Sequence, residues 1–112
     1  MLVYGNDEIW GSIPPAEFAR FVADVDAFQQ ALRESGEFVA AEGLETRPVS
    51  VRRVEGEPIV TDGPYLEVKE YVGSYFMVDV AGEARALEIA RGYPGVRHGG
   101  GLEMWPVMSR GV

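Results

Sequence analysis

The residues best suited to chemistry in this chain surround one corner, Asp62-Gly63-Pro64, which directly follows an apolar run ending at Val60 and Thr61. Aspartate accepts backbone hydrogen bonds in turns, glycine adopts unusual dihedral angles and proline fixes φ, so the corner can be a turn without chemistry. A rigid corner can also hold Asp62 in a cleft as a general base or a hydrogen-bond acceptor. Sequence alone leaves both interpretations open.

Three further side chains could bind a ligand or transfer a proton. Lys69 is the only lysine and stands between carboxylates, a position typical of an ion pair as well as of a ligand contact. Tyr75 lies near the start of a strand that follows the corner. His98 is the only histidine, hence the only side chain whose ordinary pKa suits proton transfer near neutral pH, although a histidine in a glycine-rich loop is commonly solvated. We predict a ligand-binding set of Asp62, Gly63, Pro64, Lys69 and Tyr75, and a catalytic set of Asp62, Tyr75 and His98.

The composition gives little support to metal or cofactor chemistry. The chain has no cysteine and one histidine, so a transition-metal site within one subunit is not expected. The carboxylates show no EF-hand spacing, and Gly99-Gly100-Gly101 lacks the context of a phosphate-binding loop. We therefore predict neither a metal nor a cofactor.

The charge and hydropathy of the chain argue against several classes of partner and against a membrane location. The 112 residues carry a formal charge of −8 without a basic cluster, which argues against nucleic acid and against anionic membranes. No apolar run approaches the roughly 20 residues needed to cross a bilayer, and the N-terminus does not look like a signal peptide. We predict a cytoplasmic protein with a single domain over residues 1–112.

The elements that must position these side chains follow from hydrophobic periodicity. Pro14-Pro15 marks the start of a long helix, and Gly36 marks a left-handed end. The other predicted elements are strands at 2–5 and 38–41, a hairpin of strands 50–54 and 58–61, a strand at 72–80, a helix at 82–91 and a strand at 102–107.

This order predicts an α+β fold of the ferredoxin-like, split βαβ type, with a hairpin insertion at about 44–71. Both helices would cover one face of an antiparallel sheet. In strand 72–80, alternation places Val72 with Phe76 on one face, and Tyr75 with Met77 on the other. Together with Trp105, the second face is too apolar to leave in water, so we expect a homodimer that pairs through the sheet.

The chain resembles the YCII-related family of the DGPF type, named for an Asp-Gly-Pro-Phe corner. The resemblance rests on the corner, with Tyr65 in place of phenylalanine, and on further segments along the chain: Leu2-Val3-Tyr4-Gly5, Ala41-Glu42-Gly43-Leu44, Glu67-Val68-Lys69-Glu70, Gly73-Ser74-Tyr75-Phe76 and Leu102-Glu103-Met104-Trp105-Pro106-Val107-Met108. It implies a dimeric α/β barrel in which two sheets pack face to face. Relatives have a proposed catalytic dyad, a histidine in the first long helix and an aspartate before a proline after the second helix. Here that helix lacks histidine and Tyr93 precedes Pro94, so the dyad does not carry over.

Two functions remain open. The first is a small-molecule-binding module, for which the resemblance implies a regulatory link to extracytoplasmic-function sigma factors. The alternative is a cofactor-free enzyme that performs acid/base chemistry on a small oxygenated organic substrate, as the resemblance to dimeric α/β barrels implies. The missing dyad favours the binding module.

Overall fold

The computed structural model describes residues 1–64 and 68–109, so that Tyr65 and Glu67 of the predicted motifs lie outside the described residues. The helices and strands are β1 Leu2–Gly5, α1 Asp7–Gly11, α2 Pro15–Ser35, β2 Phe38–Gly43, β3 Val49–Val54, β4 Glu57–Asp62, β5 Tyr71–Val78, α3 Glu83–Gly92 and β6 Gly101–Glu103, with a 3₁₀ turn at Pro94–Val96. The main sheet is antiparallel in the order β2-β5-β1-β6, and β3 pairs only with β4 in a second sheet. The predicted ferredoxin-like α+β fold is confirmed.

The long helix α2 begins and ends where its sequence indicates. Pro15 occupies the first turn, where a missing N–H removes no helical hydrogen bond. Gly36 has φ +77°, and its N–H donates to the Arg33 carbonyl while the Glu37 N–H donates to the Leu32 carbonyl. These two bonds satisfy carbonyls at the helix end, and the left-handed conformation that allows them favours glycine.

A small core joins both long helices to one face of the main sheet. Its buried residues are Val3 of β1, Leu32 of α2, Phe76 of β5 and Ile89 of α3. The Phe28 ring packs edge-on against Phe76 with ring centroids 5.6 Å apart. The prediction of two helices on one face is therefore confirmed, and we call the opposite side of the main sheet the open face.

A β-bulge in β5 changes which residues belong to the open face. Val3 pairs with Ser74 and Tyr4 pairs with Val72, so Gly73 is an extra residue between two pairs. An extra residue breaks the alternation of side chains along a strand. Val72 therefore shares the open face with Tyr4, and the predicted placement of Val72 on the same face as Phe76 is wrong.

The inserted hairpin forms as predicted. Val51 pairs with Val60, and the strands are joined through Glu55 and Gly56, with φ +50° and +84°. Two consecutive residues with positive φ form the turn that matches the twist of a tight hairpin, and glycine at the second position makes it accessible.

Two details differ from the predicted elements. Helix α1 is not among the predicted elements. Asn6 caps it by accepting a hydrogen bond from the Ile9 N–H (2.8 Å), and the acidic residues Asp7 and Glu8 occupy its first turn. The last strand stops at Glu103 instead of residue 107, because its partner β1 begins at Leu2, which pairs with Glu103. None of the helices within residues 1–64 and 68–109 is long and apolar enough to cross a bilayer.

Candidate ligand-binding site

The predicted corner forms one wall of a groove of about 400 Å³ between the hairpin and the start of β5. We call it the corner groove; its lining residues are Thr46, Arg47, Pro48, Val49, Asp62, Gly63, Pro64 and Tyr71. Three of the predicted ligand-binding residues, Asp62, Gly63 and Pro64, thus lie together in one concave surface.

Two hydrogen bonds of Gly63, one to β3 and one to the preceding loop, hold the corner in place. Gly63 has φ +104°, a conformation strained for other residues. Its N–H donates to the Pro48 carbonyl (2.9 Å), and its carbonyl accepts from the hydroxyl of the buried Ser50 (2.5 Å). The corner is thus fixed by Gly63 and Ser50, while the Asp62 side chain stays exposed on the groove wall. A turn role for the corner and a ligand-binding role for Asp62 are therefore compatible.

The groove combines groups of both charges with a neutral phenol. Asp62 supplies a carboxylate and Arg47 a guanidinium, which also forms an exposed ion pair with Glu45. The Tyr71 hydroxyl donates to Asp7 Oδ1 (2.8 Å). Burial, and then the hydrogen bond to the Asp7 carboxylate, raise the pKa of Tyr71, so its hydroxyl stays protonated at neutral pH. This arrangement suits a small molecule that has both a cationic and an anionic group.

Lys69 lies in the segment that leads from the corner to β5. Its carbonyl accepts a hydrogen bond from Asn6 Nδ2 (2.8 Å), which ties this segment to the start of α1. The side chain is exposed, and Lys69 is not among the described residues that line the corner groove. Its predicted role in ligand binding stays a prediction.

Tyr75 lies on the open face of the main sheet. It pairs with Leu2 of β1 on one side and with Glu42 of β2 on the other. The tyrosine that reaches the corner groove is instead Tyr71, four residues earlier. Strict alternation would put these two tyrosines on one face, but the bulge at Gly73 separates them. The sequence signal for the bulge, a glycine within a strand, was present.

His98 lies on the helix side of the sheet. Its ring packs edge-on against Phe21 of α2, with ring centroids 6.0 Å apart. The neighbouring Arg97 donates from Nη1 to Asp24 Oδ2 of the same helix (2.7 Å). The predicted catalytic residues Asp62, Tyr75 and His98 therefore lie on the hairpin, the open face and the helix side, and the structure does not bring them together.

Within residues 1–64 and 68–109, no group of three or more histidine, aspartate or glutamate side chains is arranged to hold a metal ion.

The fold and the groove define a small ferredoxin-like α+β domain with an inserted hairpin that forms one wall of the corner groove. Residues 6–109 match the family model of the YCII-related domain, and the chain belongs to this family. An uncharacterized protein of Rhizobium meliloti (strain 1021) is 31% identical over 93 residues, which are 81% of this chain and 75% of that protein.

Proposed function

We propose that this protein is a homodimeric small-molecule-binding module whose ligand occupies the corner groove. The observation that carries the proposal is the groove itself: a carboxylate, a guanidinium and a neutral tyrosine hydroxyl line a surface held by Gly63 and Ser50. Binding is favoured over catalysis because Asp62, Tyr75 and His98 lie on separate parts of the molecule. The net charge of −8 disfavours nucleic acid and anionic membranes as partners.

The dimer is supported by the excess surface of a single chain. Its accessible surface is 8240 Å², whereas a compact monomer of this mass would expose about 6100 Å². The Cα radius of gyration is 16.2 Å, against about 13 Å for a compact domain of this length. Each copy thus has an excess of about 2100 Å², more than the roughly 800 Å² that each partner contributes to a typical stable interface.

Apolar residues on the hairpin indicate where the second copy would dock. Val51 and Val60 face each other and are 61% and 65% exposed, and Val49 and Asp62 share their face. An isolated two-stranded hairpin is only marginally stable, so covering this face stabilises it. Because Val49 and Asp62 also line the corner groove, a partner that covers the hairpin would wall off one side of the ligand site.

A thermal-shift screen tests the proposal with small zwitterions such as free amino acids, each added to four forms of the protein. A compound that binds the groove is expected to raise the Tm of wild type but not that of Asp62→Asn or Arg47→Gln. Glu57→Gln, at the far end of β4, is the matched control and should respond like wild type.

The same variants separate a ligand contact from a structural role. Asp62→Asn without ligand should lose well under about 1 kcal/mol of unfolding free energy, because Gly63 and Ser50 supply the hydrogen bonds of the corner. If Asp62→Asn keeps full affinity for the compounds found, the ligand site lies elsewhere.

A further inference from the structure

A second cavity, of about 210 Å³, lies on the helix side of the sheet between α1, α2 and β5. We call it the helix-side cavity. It shares no lining residue with the corner groove, and its walls are largely apolar and include the aromatic residues Trp10, Phe21 and Tyr93. A cavity of about 150 Å³ is enough to hold one benzene molecule. The helix-side cavity therefore accommodates one aromatic ring with a short side arm.

Two glycines let the Trp10 ring lie close against the strands at this cavity. A Cβ at Gly5 or at Gly73 would collide with the indole ring, so both positions require the absence of a side chain. The ring is also fixed by an edge-on contact with Tyr71, with ring centroids 5.7 Å apart. The bulge at Gly73 thus shapes an aromatic wall as well as changing the alternation of β5.

Two hydroxyl groups form a polar patch on the sheet side of this cavity. Tyr93 and Ser74 both line it and lie within hydrogen-bonding reach of each other. The Tyr93 ring is held by Phe28 and Phe76, at centroid distances of 5.2 and 4.9 Å. Burial raises the pKa of Tyr93, which keeps its hydroxyl protonated and able to donate.

The helix wall supplies a charge. Asp26 of α2 lines the cavity and is exposed at its edge. Among the described residues that line the cavity, Asp26 is the only charged one, so the charge of its lining is negative. A cation enters such a site favourably, and aromatic walls add to that attraction.

We propose that the helix-side cavity is a second binding site, for a small aromatic amine with a ring hydroxyl. The ring packs against Trp10 and Phe21, the ammonium group pairs with Asp26, and the hydroxyl binds the Tyr93 and Ser74 hydroxyls. Recognition at both ends makes the site selective for compounds that have both polar groups. This proposal is independent of the corner groove.

Tyramine is the probe, and calorimetric titration of the full chain measures its affinity. We expect saturable binding that weakens at least about tenfold in Asp26→Asn. Asp24→Asn is the matched control, because Asp24 lies on the same helix, pairs with Arg97 and does not line the cavity. Asp62→Asn should also bind tyramine normally, which distinguishes this site from the corner groove.

Two analogues test the two ends of the ligand. 4-Hydroxyphenylacetate has a carboxylate in place of the ammonium group and should bind at least about tenfold more weakly than tyramine. Phenethylamine lacks the hydroxyl, so Tyr93→Phe should weaken tyramine binding but leave phenethylamine binding unchanged. In a Trp105→Phe background, Trp10 is the only tryptophan, and tyramine should change its emission.

The proposal is overturned if tyramine shows no saturable binding, if Asp26→Asn binds it as well as wild type, or if the carboxylate analogue binds equally. Unchanged Trp10 emission on saturation would also overturn it, because it would place the ligand elsewhere.

Discussion

At the level of single residues, Arg85 of α3 provides the best-defined polar contact of the fold. Its Nε and Nη2 donate to the two carboxylate oxygens of Glu37 (2.9 and 2.8 Å), and its Nη1 donates to Glu88 (2.8 Å). The hydrogen bonds from Arg85, and then from Ser35, lower the pKa of Glu37 from 4.5 to about 2. The Arg85–Glu37 ion pair connects the end of α2 to the start of α3. Because two parallel hydrogen bonds join the two groups, this ion pair is stronger than an ordinary surface ion pair.

The Glu37 carboxylate should make stability depend on pH in the acid range. Because its pKa is lower in the folded than in the unfolded state, the stabilisation is complete above the ordinary pKa of 4.5 and is lost as pH falls towards 2. We expect the Tm of wild type to exceed that of Glu37→Gln at about pH 6, and the difference to shrink towards about pH 2.

Thermal unfolding of both proteins across this range measures the effect, with Glu88→Gln as control. Glu88 contacts the same arginine from an exposed position, and its replacement should cost less. A constant difference between wild type and Glu37→Gln at every pH would contradict the assignment.

At the level of elements, the parts that the sequence predicted correctly have strong local signals. Helix α2 has a proline start and a glycine end, and the hairpin has glycine in its turn. The bulge at Gly73 was missed because its position depends on how β1 and β5 pair, which one strand's sequence does not specify. Helix α1 was missed because its five residues are too few to show helical periodicity.

The candidate site, like the fold, was predictable only where its residues form a local pattern. Asp62, Gly63 and Pro64 are contiguous, so a local pattern was enough to group them. Tyr71 enters the corner groove through the pairing of β5 and the bulge, and these are long-range features. Tyr75, Lys69 and His98 keep their roles as predictions, and so do the DGPF subtype and the sigma-factor link.

The Asn6 side chain makes two hydrogen bonds that stabilise helix α1 and its surroundings. Asn6 Oδ1 accepts from the Ile9 N–H and caps the helix, while Nδ2 donates to the Lys69 carbonyl. Asn6→Ala removes both bonds and should lower the unfolding free energy by about 1–2 kcal/mol. Asn6→Ser can keep the cap without the second bond and should cost less. Urea unfolding of the three proteins measures this; equal stability of Asn6→Ala and wild type would contradict the capping role.

At the level of the whole molecule, the chain is thin for its length. Its principal extents are 49 × 41 × 18 Å, which describe one layer of helices on one sheet with a projecting hairpin. Only four hydrophobic side chains among the described residues are buried, so a single copy encloses a small core. A second copy against the open face and the hairpin would add the missing layer, since domains are built from packed layers around a core.

Sedimentation equilibrium at micromolar concentration should show a dimer. Met77 on the open face is 37% exposed, and Leu87 of α3, on the helix side of the sheet, is 40% exposed. Leu87 is therefore a control for Met77 with similar exposure on the opposite side of the sheet. Met77→Glu should weaken the dimer by more than about tenfold, because it buries a charge without a partner, whereas Leu87→Glu should leave the dimer intact.

Val51→Glu tests the hairpin independently and keeps the test decisive if Met77→Glu does not fold. A monomeric wild type, or a dimer disrupted by Leu87→Glu but not by Met77→Glu and Val51→Glu, would show that the open face and hairpin are not the interface.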